Sequence, residues 1–294
     1  MRMFGRRAFL AGSMAAVTFS GSDVLPAVAA QKRVAVIDWA HLETCLALGI
    51  TPVAGSELRQ YRKIVRVPEM PDTVADLGLR GSPNLEMLRF VEPDITVISQ
   101  FYEYQTATLA TVAPVLSLPS YEAGTPPYGL LENSAVALGE ALAIRPAAER
   151  LVSEVADDIE AARERVIPFS GQPVHVISLG DSRHFRAFGA DSLMGDVLTR
   201  LGFENAWRDD TSYSAAAPVG LEALAEQRDA GIVVIEPLPA DVGRSLPDNA
   251  LWNALPAVRD GRVSILPPVN HFGGLPSARR FAGLLAAAVA GWPR

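Results

Sequence analysis

Cysteine is nearly missing from this chain: Cys45 is the only one in 294 residues. No intrachain disulfide can form, and no thiolate cluster can hold a metal. Cys45 falls within a run, His41 to Leu48, that reads as a helix, so a buried, unreactive thiol is the natural assignment. Histidine is scarce as well. His41, His175, His184 and His271 are scattered, with no HExxH and no paired spacing, which leaves protein-held metal chemistry with little support. No GxGxxG follows a strand, and no phosphate-loop motif is present. Positive charge is in deficit: 26 Lys and Arg stand against 33 Asp and Glu, for a net charge of −7. A nucleic-acid binder would normally carry a basic face. Past the N-terminus no apolar run is long enough to cross a bilayer, so no stable membrane insertion is expected.

The N-terminus itself is informative. Arg6 and Arg7 precede Ala8-Phe9-Leu10, and an apolar stretch continues to about Phe19. Ala27-Val28-Ala29 supplies small residues for a signal peptidase. Residues 1–29 therefore read as a twin-arginine export signal. The mature chain would start near Ala30 in the periplasm. No cysteine stands at the end of the apolar stretch, so a lipoprotein anchor is not expected.

The mature chain divides into three parts. From 30 to 127, short β-branched runs alternate with helical runs, as in a βα lobe with a largely parallel sheet. Arg33 to Asp38 is the first strand, ending at Trp39, and Gly49 closes the helix after it. Thr51 to Ala54 reads as a second strand, and Glu57 to Pro71 as irregular. From 128 to 170 strand signal almost vanishes, and Ala147 to Val166 keeps apolar residues at helical spacing. A helix of about 20 residues spans ~30 Å, enough to join two lobes as a strut. From 171 to 294 strands return: Pro173 to Leu179, His184 to Phe188, Ile232 to Glu236 and Arg262 to Leu266. Asp191 is expected to cap a helix to Leu201, Gly220 to Gln227 to form another, and Ser277 to Ala290 to close the chain. The predicted fold class is α/β, with two α/β lobes joined by a single long helix, the alternative being a helix packed on one sheet.

One stretch, Asp76 to Tyr102, offers the most chemistry. Gly78 and Gly81 flank Arg80, so a guanidinium projects from a tight loop. Ser82 and Pro83 read as a helix start, Leu85, Leu88 and Val91 as its apolar side, and Pro93 as its stop. Ile95 to Ile98 is a buried-type strand delivering Phe101 and Tyr102 at its carboxyl end, where open α/β sheets hold ligands. On spacing alone two readings stay open: a cation and a phenol at one rim, or a surface arginine and a rim tyrosine with no shared task. The two lobes also echo each other. Leu85-Glu86-Met87-Leu88 matches Leu221-Glu222-Ala223-Leu224, which puts an acid, Glu86 or Glu222, in the first turn of each helix. Acids there are favoured by the helix dipole in any protein. One enzyme signal competes: Gly180-Asp181-Ser182 follows a strand, as in esterases with such a serine nucleophile, with His271 as the late histidine. Its mid-chain position and the Pro268 spacing depart from that pattern, so no catalytic residue is assigned.

Segments IDWAHLETCLALGITP, PDTVADLGLRGSPNLEMLRFVEPD, FGADSLMGDVLTRLGFENAW and the region around LWNALPAVRDGRV resemble the periplasmic binding proteins of ABC importers for iron–siderophores, most of all those for ferric hydroxamates. The resemblance covers nearly the whole mature chain. It implies the class III, helical-backbone fold with a ligand cleft between the lobes, a monomer, a ferric siderophore as ligand and an ABC permease as partner. No cofactor and no protein metal ligand is implied, because the siderophore supplies the iron ligands. It assigns Arg80 and Tyr102 as donors to the chelate's oxygens, which a guanidinium fork and a phenol suit well. It places Trp39 in the aromatic cleft wall, Phe272 at a family tyrosine position and Tyr213 beside a family tryptophan position. Ser214 and Asn270 stand where the family has cleft tryptophans, Ile64 at a third, and His271 belongs to the same segment as Asn270. Glu86 and Glu222 match acids that dock on the permease. With fewer tryptophans the cleft is expected to be roomier and more polar. Arg59, Arg62, Arg183 and Arg186 are then candidate extra cations, so a carboxylate or catecholate siderophore stays open, as does haem or a corrinoid.

Overall fold

Short runs of β-branched residues build two sheets, and helices cover them. The computed structural model describes residues 32–209, 211 and 215–293. The expected export signal, with Arg6 and Arg7, and the candidate site residues Tyr213 and Ser214 lie outside the described residues.

The first lobe has strands β1 (Val34–Val36), β2 (Ala54–Gly55), β3 (Ala75–Asp76), β4 (Ile95–Ile98) and β5 (Val115–Ser117). Helices α1 (Trp39–Ala47), α2 (Leu58–Ile64), α3 (Leu85–Phe90) and α4 (Thr106–Leu109) lie between them. The sheet order is β3-β2-β1-β4-β5, and every pairing is parallel. The order reverses between β1 and β4, so the chain leaves their carboxyl ends in opposite directions and opens a crevice there. Alternate residues feed two cores. Val34, Val36 and Val97 pack with Trp39 and Leu42 on one face. Ala35, Ile37 and Ile98 pack with Leu77, Leu88 and Leu109 on the other.

Two helices follow, α5 (Tyr128–Ala141) and α6 (Arg145–Val166). The 22 residues of α6 span ~33 Å at the helical rise. Ala148, Leu151, Val155, Ile159, Ala162 and Val166 form its buried stripe at three- and four-residue spacing. The solvent side carries ion pairs such as Arg145–Glu149 at 2.7 Å. This is the joining helix that the sequence suggests, but it does not stand free: it packs on α5 and on the last helix of the chain.

The second lobe has strands β6 (Pro173–Leu179), β7 (His184–Phe188), β8 (Glu204–Asn205), β9 (Ala215–Gly220), β10 (Gly231–Ile235) and β11 (Val263–Leu266). Its helices are α7 (Leu193–Arg200), α8 (Ala240–Ser245), α9 (Ala250–Ala254), α10 (Pro256–Arg259) and α11 (Leu275–Val289). The order is β11-β10-β6-β7-β9, with β8 beside the start of β6. Only the β6–β7 and β7–β9 pairings are antiparallel among those described. One buried cluster runs from Ala40 and Tyr121 of the first lobe through α6 to Val233 and Phe281 of the second. The lobes are thus welded through apolar contact as well as through α6.

Several local expectations need correction. The cap of α3 is Asn84, whose side chain accepts from Met87 N at 2.9 Å; Ser82 and Pro83 precede the helix. The cap of α7 is Ser192, not Asp191. Residues 57–71 are not all irregular, since α2 buries Leu58 and Tyr61 within them. The run after Gly220 is a short 3-10 turn, Leu221–Ala225, rather than an α-helix.

Candidate functional site

Asp38 ends β1 and ties its neighbours together. One carboxylate oxygen accepts from Ala40 N at 2.8 Å and caps α1, while the other accepts from Ser99 Oγ at 2.8 Å. Ser99 ends β4, so the two strand ends flanking the crevice are held by one side chain. Beyond Ser99 the chain enters a 3-10 segment, Gln100–Gln105, that sets Phe101 and Tyr102 on the rim. Asp38, Arg80, Phe101, Tyr102, Tyr121 and Phe272 line one cavity of about 260 Å³. Five come from the first lobe and Phe272 from the second. A larger cavity, about 510 Å³, lies by Val67, Pro68, Leu151 and Leu284 and includes none of the expected site residues.

Arg80 is held from several sides. Gly78 adopts φ +75, a conformation open to glycine at little cost. Past that turn, Arg80 N and Nε donate to Glu57 at 3.2 and 2.9 Å. Gln105 Nε2 donates to the Arg80 carbonyl at 2.9 Å. The guanidinium lies 4.3 Å from the centre of the Trp39 ring. Trp39 is not an open wall of the cleft: it is 4 % exposed, and its indole N–H donates to Ser56 O at 2.9 Å. It is the platform beneath Arg80, through cation–π contact.

Tyr102 is half-buried beside Arg80. Burial pushes its phenol up to about 12, with Asp38 and Glu57 adding to the rise and Arg80 opposing it. The group is therefore a neutral hydroxyl at ordinary pH, able to donate a hydrogen bond.

The opposite wall follows β11. Phe272 sets its ring edge-on to Tyr121 at 5.4 Å, and Tyr121 Oη donates to Gly273 O at 2.7 Å. His271 lies against Phe188 at 5.4 Å and Phe272 at 5.0 Å between ring centres. Its Nε2 is 3.2 Å from Arg186 Nη1. Burial, then the charges of Arg186 and Arg80, lower its pKa to about 4. His271 is thus neutral, its Nε2 accepts from Arg186, and its proton sits on Nδ1. Asn270 does not face the cavity as a polar replacement for a tryptophan. It is 4 % exposed, and its Nδ2 donates to Glu43 Oε1 at 2.8 Å. Gly274 N and Ser277 Oγ donate to Glu43 Oε2 at 3.1 and 2.7 Å, so α1 of one lobe grips the 270–277 segment of the other.

The remaining candidates are spread out. Arg62 turns away to Asp72 at 3.3 Å. Arg59 and Arg183 are exposed, and Ile64 packs against the first lobe's core. Glu86 and Glu222 are exposed in the first turns of their elements. Ser182 lies in the β6–β7 turn, where Asp181 holds the His184 ring at 3.0 Å, while His271 is engaged by Arg186. Among the described residues no group of three His, Cys, Asp or Glu side chains could hold a metal ion. Sequence reasoning missed Asp38, Glu57, Tyr121 and Glu43. Asp38 carried a usable signal, an acid between a strand and a helix; the others meet their partners only through the fold.

The family model described as periplasmic binding protein matches residues 34–269. The iron(3+)-hydroxamate-binding protein FhuD of Escherichia coli K12 is 31% identical over 259 residues, covering 88% of this chain and 87% of that protein. The Fe(3+)-citrate-binding protein YfmC of Bacillus subtilis is 27% identical over 240 residues, covering 79% of this chain and 72% of its own. The crystal structure of siderophore-binding FhuD from Vibrio cholerae with Fe3+–Desferal superposes with a TM-score of 0.83 at 25% identity, covering 90% of this chain and all of that one.

Proposed function

The chain belongs to the periplasmic binding protein family, and from that premise we propose that it captures a ferric siderophore of the hydroxamate type and delivers it to an inner-membrane ABC permease. The carrying observation is the shared cavity of Arg80 and Tyr102, bounded by Phe101, Tyr121 and Phe272. A guanidinium and a neutral hydroxyl both have hydrogen bonds to donate, which suits the ring of oxygens around a chelated ferric ion. The aromatic rings suit its hydrocarbon linkers. The iron arrives as cargo with its own ligands, so the reading asks no cofactor of the protein and no catalysis. Similarity to an iron(3+)-hydroxamate binder and to Vibrio cholerae FhuD supports the ligand class.

The rest of the reading follows from the role. Residues 1–29 serve as a twin-arginine signal, the mature protein acts in the periplasm as a monomer, and Glu86 and Glu222 meet basic residues of the permease. Residues 30–127 and 171–294 act as the two ligand-facing lobes, with 128–170 as their connector. Titration with ferric hydroxamates should quench tryptophan fluorescence saturably, because Trp39 underlies Arg80. No saturable response to hydroxamate, catecholate or carboxylate chelates at micromolar concentration rejects the proposal.

A further inference from the structure

The two walls of the cleft differ in charge. The first lobe lines it with Asp38 and Arg80, and Glu57, outside the lining, pairs with Arg80 at 2.9 Å. Asp38 is 7 % exposed, and its described partners, Ala40 N and Ser99 Oγ, are uncharged. That wall therefore sums to one negative charge over these three groups. The second lobe contributes Phe272 to the lining; the His271 ring lies 5.0 Å from it and bonds Arg186. Arg186 stands on β7 and is only partly buried, and among the described residues it forms no ion pair with a carboxylate. Its described partner is the neutral ring of His271 at 3.2 Å.

Arg186 stands two contacts from the cavity, through His271 at 3.2 Å and from there to Phe272. His271 is the residue before Phe272, which lines the cavity with Arg80. The charges that depress His271 are two guanidiniums, Arg186 of its own lobe and Arg80 of the other, so the ring lies within electrostatic reach of both walls. A guanidinium keeps its charge in such a place, whereas the imidazole gives its charge up. His271 then orients the Arg186 fork without neutralising it.

We infer that Arg186 is a specificity-determining residue: it makes the cleft prefer a ferric chelate whose rim carries a carboxylate over one with a neutral or cationic rim. This rests on the proposed ferric-siderophore reading and deepens it by assigning rim charge. Iron-core recognition stays with Arg80 and Tyr102 on the first lobe, while the anionic rim faces the second.

One iron core with three rims tests it. The probes are the ferric complexes of desferrioxamine B, which bears an ammonium, of its N-acetyl derivative, which is neutral, and of its N-succinyl derivative, which bears a carboxylate. At low salt the succinyl complex should bind roughly fivefold tighter than the acetyl complex, as for one partly exposed ion pair. The ammonium complex should bind weakest, and the spread should shrink as salt screens the charges. In Arg186→Gln the succinyl-to-acetyl ratio should fall to near one, and Arg186→Lys should keep most of it. Equal affinities in the wild type, or a ratio that survives Arg186→Gln, overturn the inference while leaving a hydroxamate binder. Failure of all three complexes to bind removes the hydroxamate reading and the inference with it.

Discussion

Arg80 matters less for its charge than for being already in place. Its backbone and Nε are fixed on Glu57, and Trp39 supports the guanidinium plane. Ordering a free arginine costs about 0.5–1.5 kcal/mol on binding, and here folding meets most of that cost. Arg80→Ala should weaken a ferric hydroxamate by about 1.5–3 kcal/mol, the range for lost hydrogen bonds to a charged group. Unchanged affinity in a fluorescence titration would take Arg80 out of the site. The hydrogen bonds described for the Glu57 side chain go to Arg80, and Glu57→Ala should cost about 0.5–1.5 kcal/mol toward a neutral ferric complex, because the guanidinium then has to be ordered by the ligand. A Glu57→Ala titration curve that overlays the wild type would show that preorganisation contributes nothing. Tyr102 argues in the same direction about ligand type. A phenol ligating haem iron must ionise, and burial pushing Tyr102 up to about 12 opposes that.

At the scale of elements, what the sequence reveals depends on how local each element's cause is. β6 and β7 match their expected ranges, because PVHVISL and HFRAF are continuous apolar or alternating runs with turns on both sides. β2 and β3 have two residues each and exist through pairing with their neighbours: the run Thr51 to Ala54 overlaps β2 at Ala54 alone, and no local signal marks β3. β9, AAAPVG, is poor strand material, and its proline is tolerated because β9 ends the sheet. α2 was legible in hindsight, since Leu58 and Tyr61 stand three apart and both are buried. In the site, the loop-and-strand unit that brings Arg80 and Tyr102 together could be read locally. The Glu57 and Glu43 partners could not, since the chain returns to them from 23 and more than 200 residues away. The matching first-turn acids are a test at this scale. Both are exposed, so reversing Glu86 and Glu222 to lysine should leave chelate affinity unaltered and abolish iron uptake by cells. Normal uptake by the double variant would refute a docking role. Asn84→Ala should cost about 1 kcal/mol of stability, measured by urea unfolding, and loosen the α3 turn that carries Glu86; an unaltered midpoint would show that the cap contributes nothing.

Across the whole molecule, the lobes are held at a fixed separation by α6, by a shared apolar cluster and by one buried carboxylate. Glu43 is fully buried, and three donors from the other lobe point at it. Burial raises its pKa from 4.5 to about 7, against those hydrogen bonds, which favour the ionised form. Glu43 therefore holds a proton in the folded state at pH values where the unfolded chain has released it. Its contribution is fully present below pH 4.5 and is lost as pH rises through about 7. The whole effect amounts to at most ~3 kcal/mol, at about 1.4 kcal/mol for each pH unit of displacement. Wild type and Glu43→Gln, unfolded by urea from pH 4 to 8, separate this group from all others. The wild type should lose stability relative to the Gln variant as pH climbs from 5 to 8, since glutamine cannot ionise. A difference that does not vary with pH would mean that the three donors outweigh burial and that Glu43 is ionised throughout. That result would make the contact between the lobes a charge-assisted clasp insensitive to pH. The expected result would make it a joint that loosens toward alkaline conditions, and with it the spacing between the Arg80 and Arg186 walls.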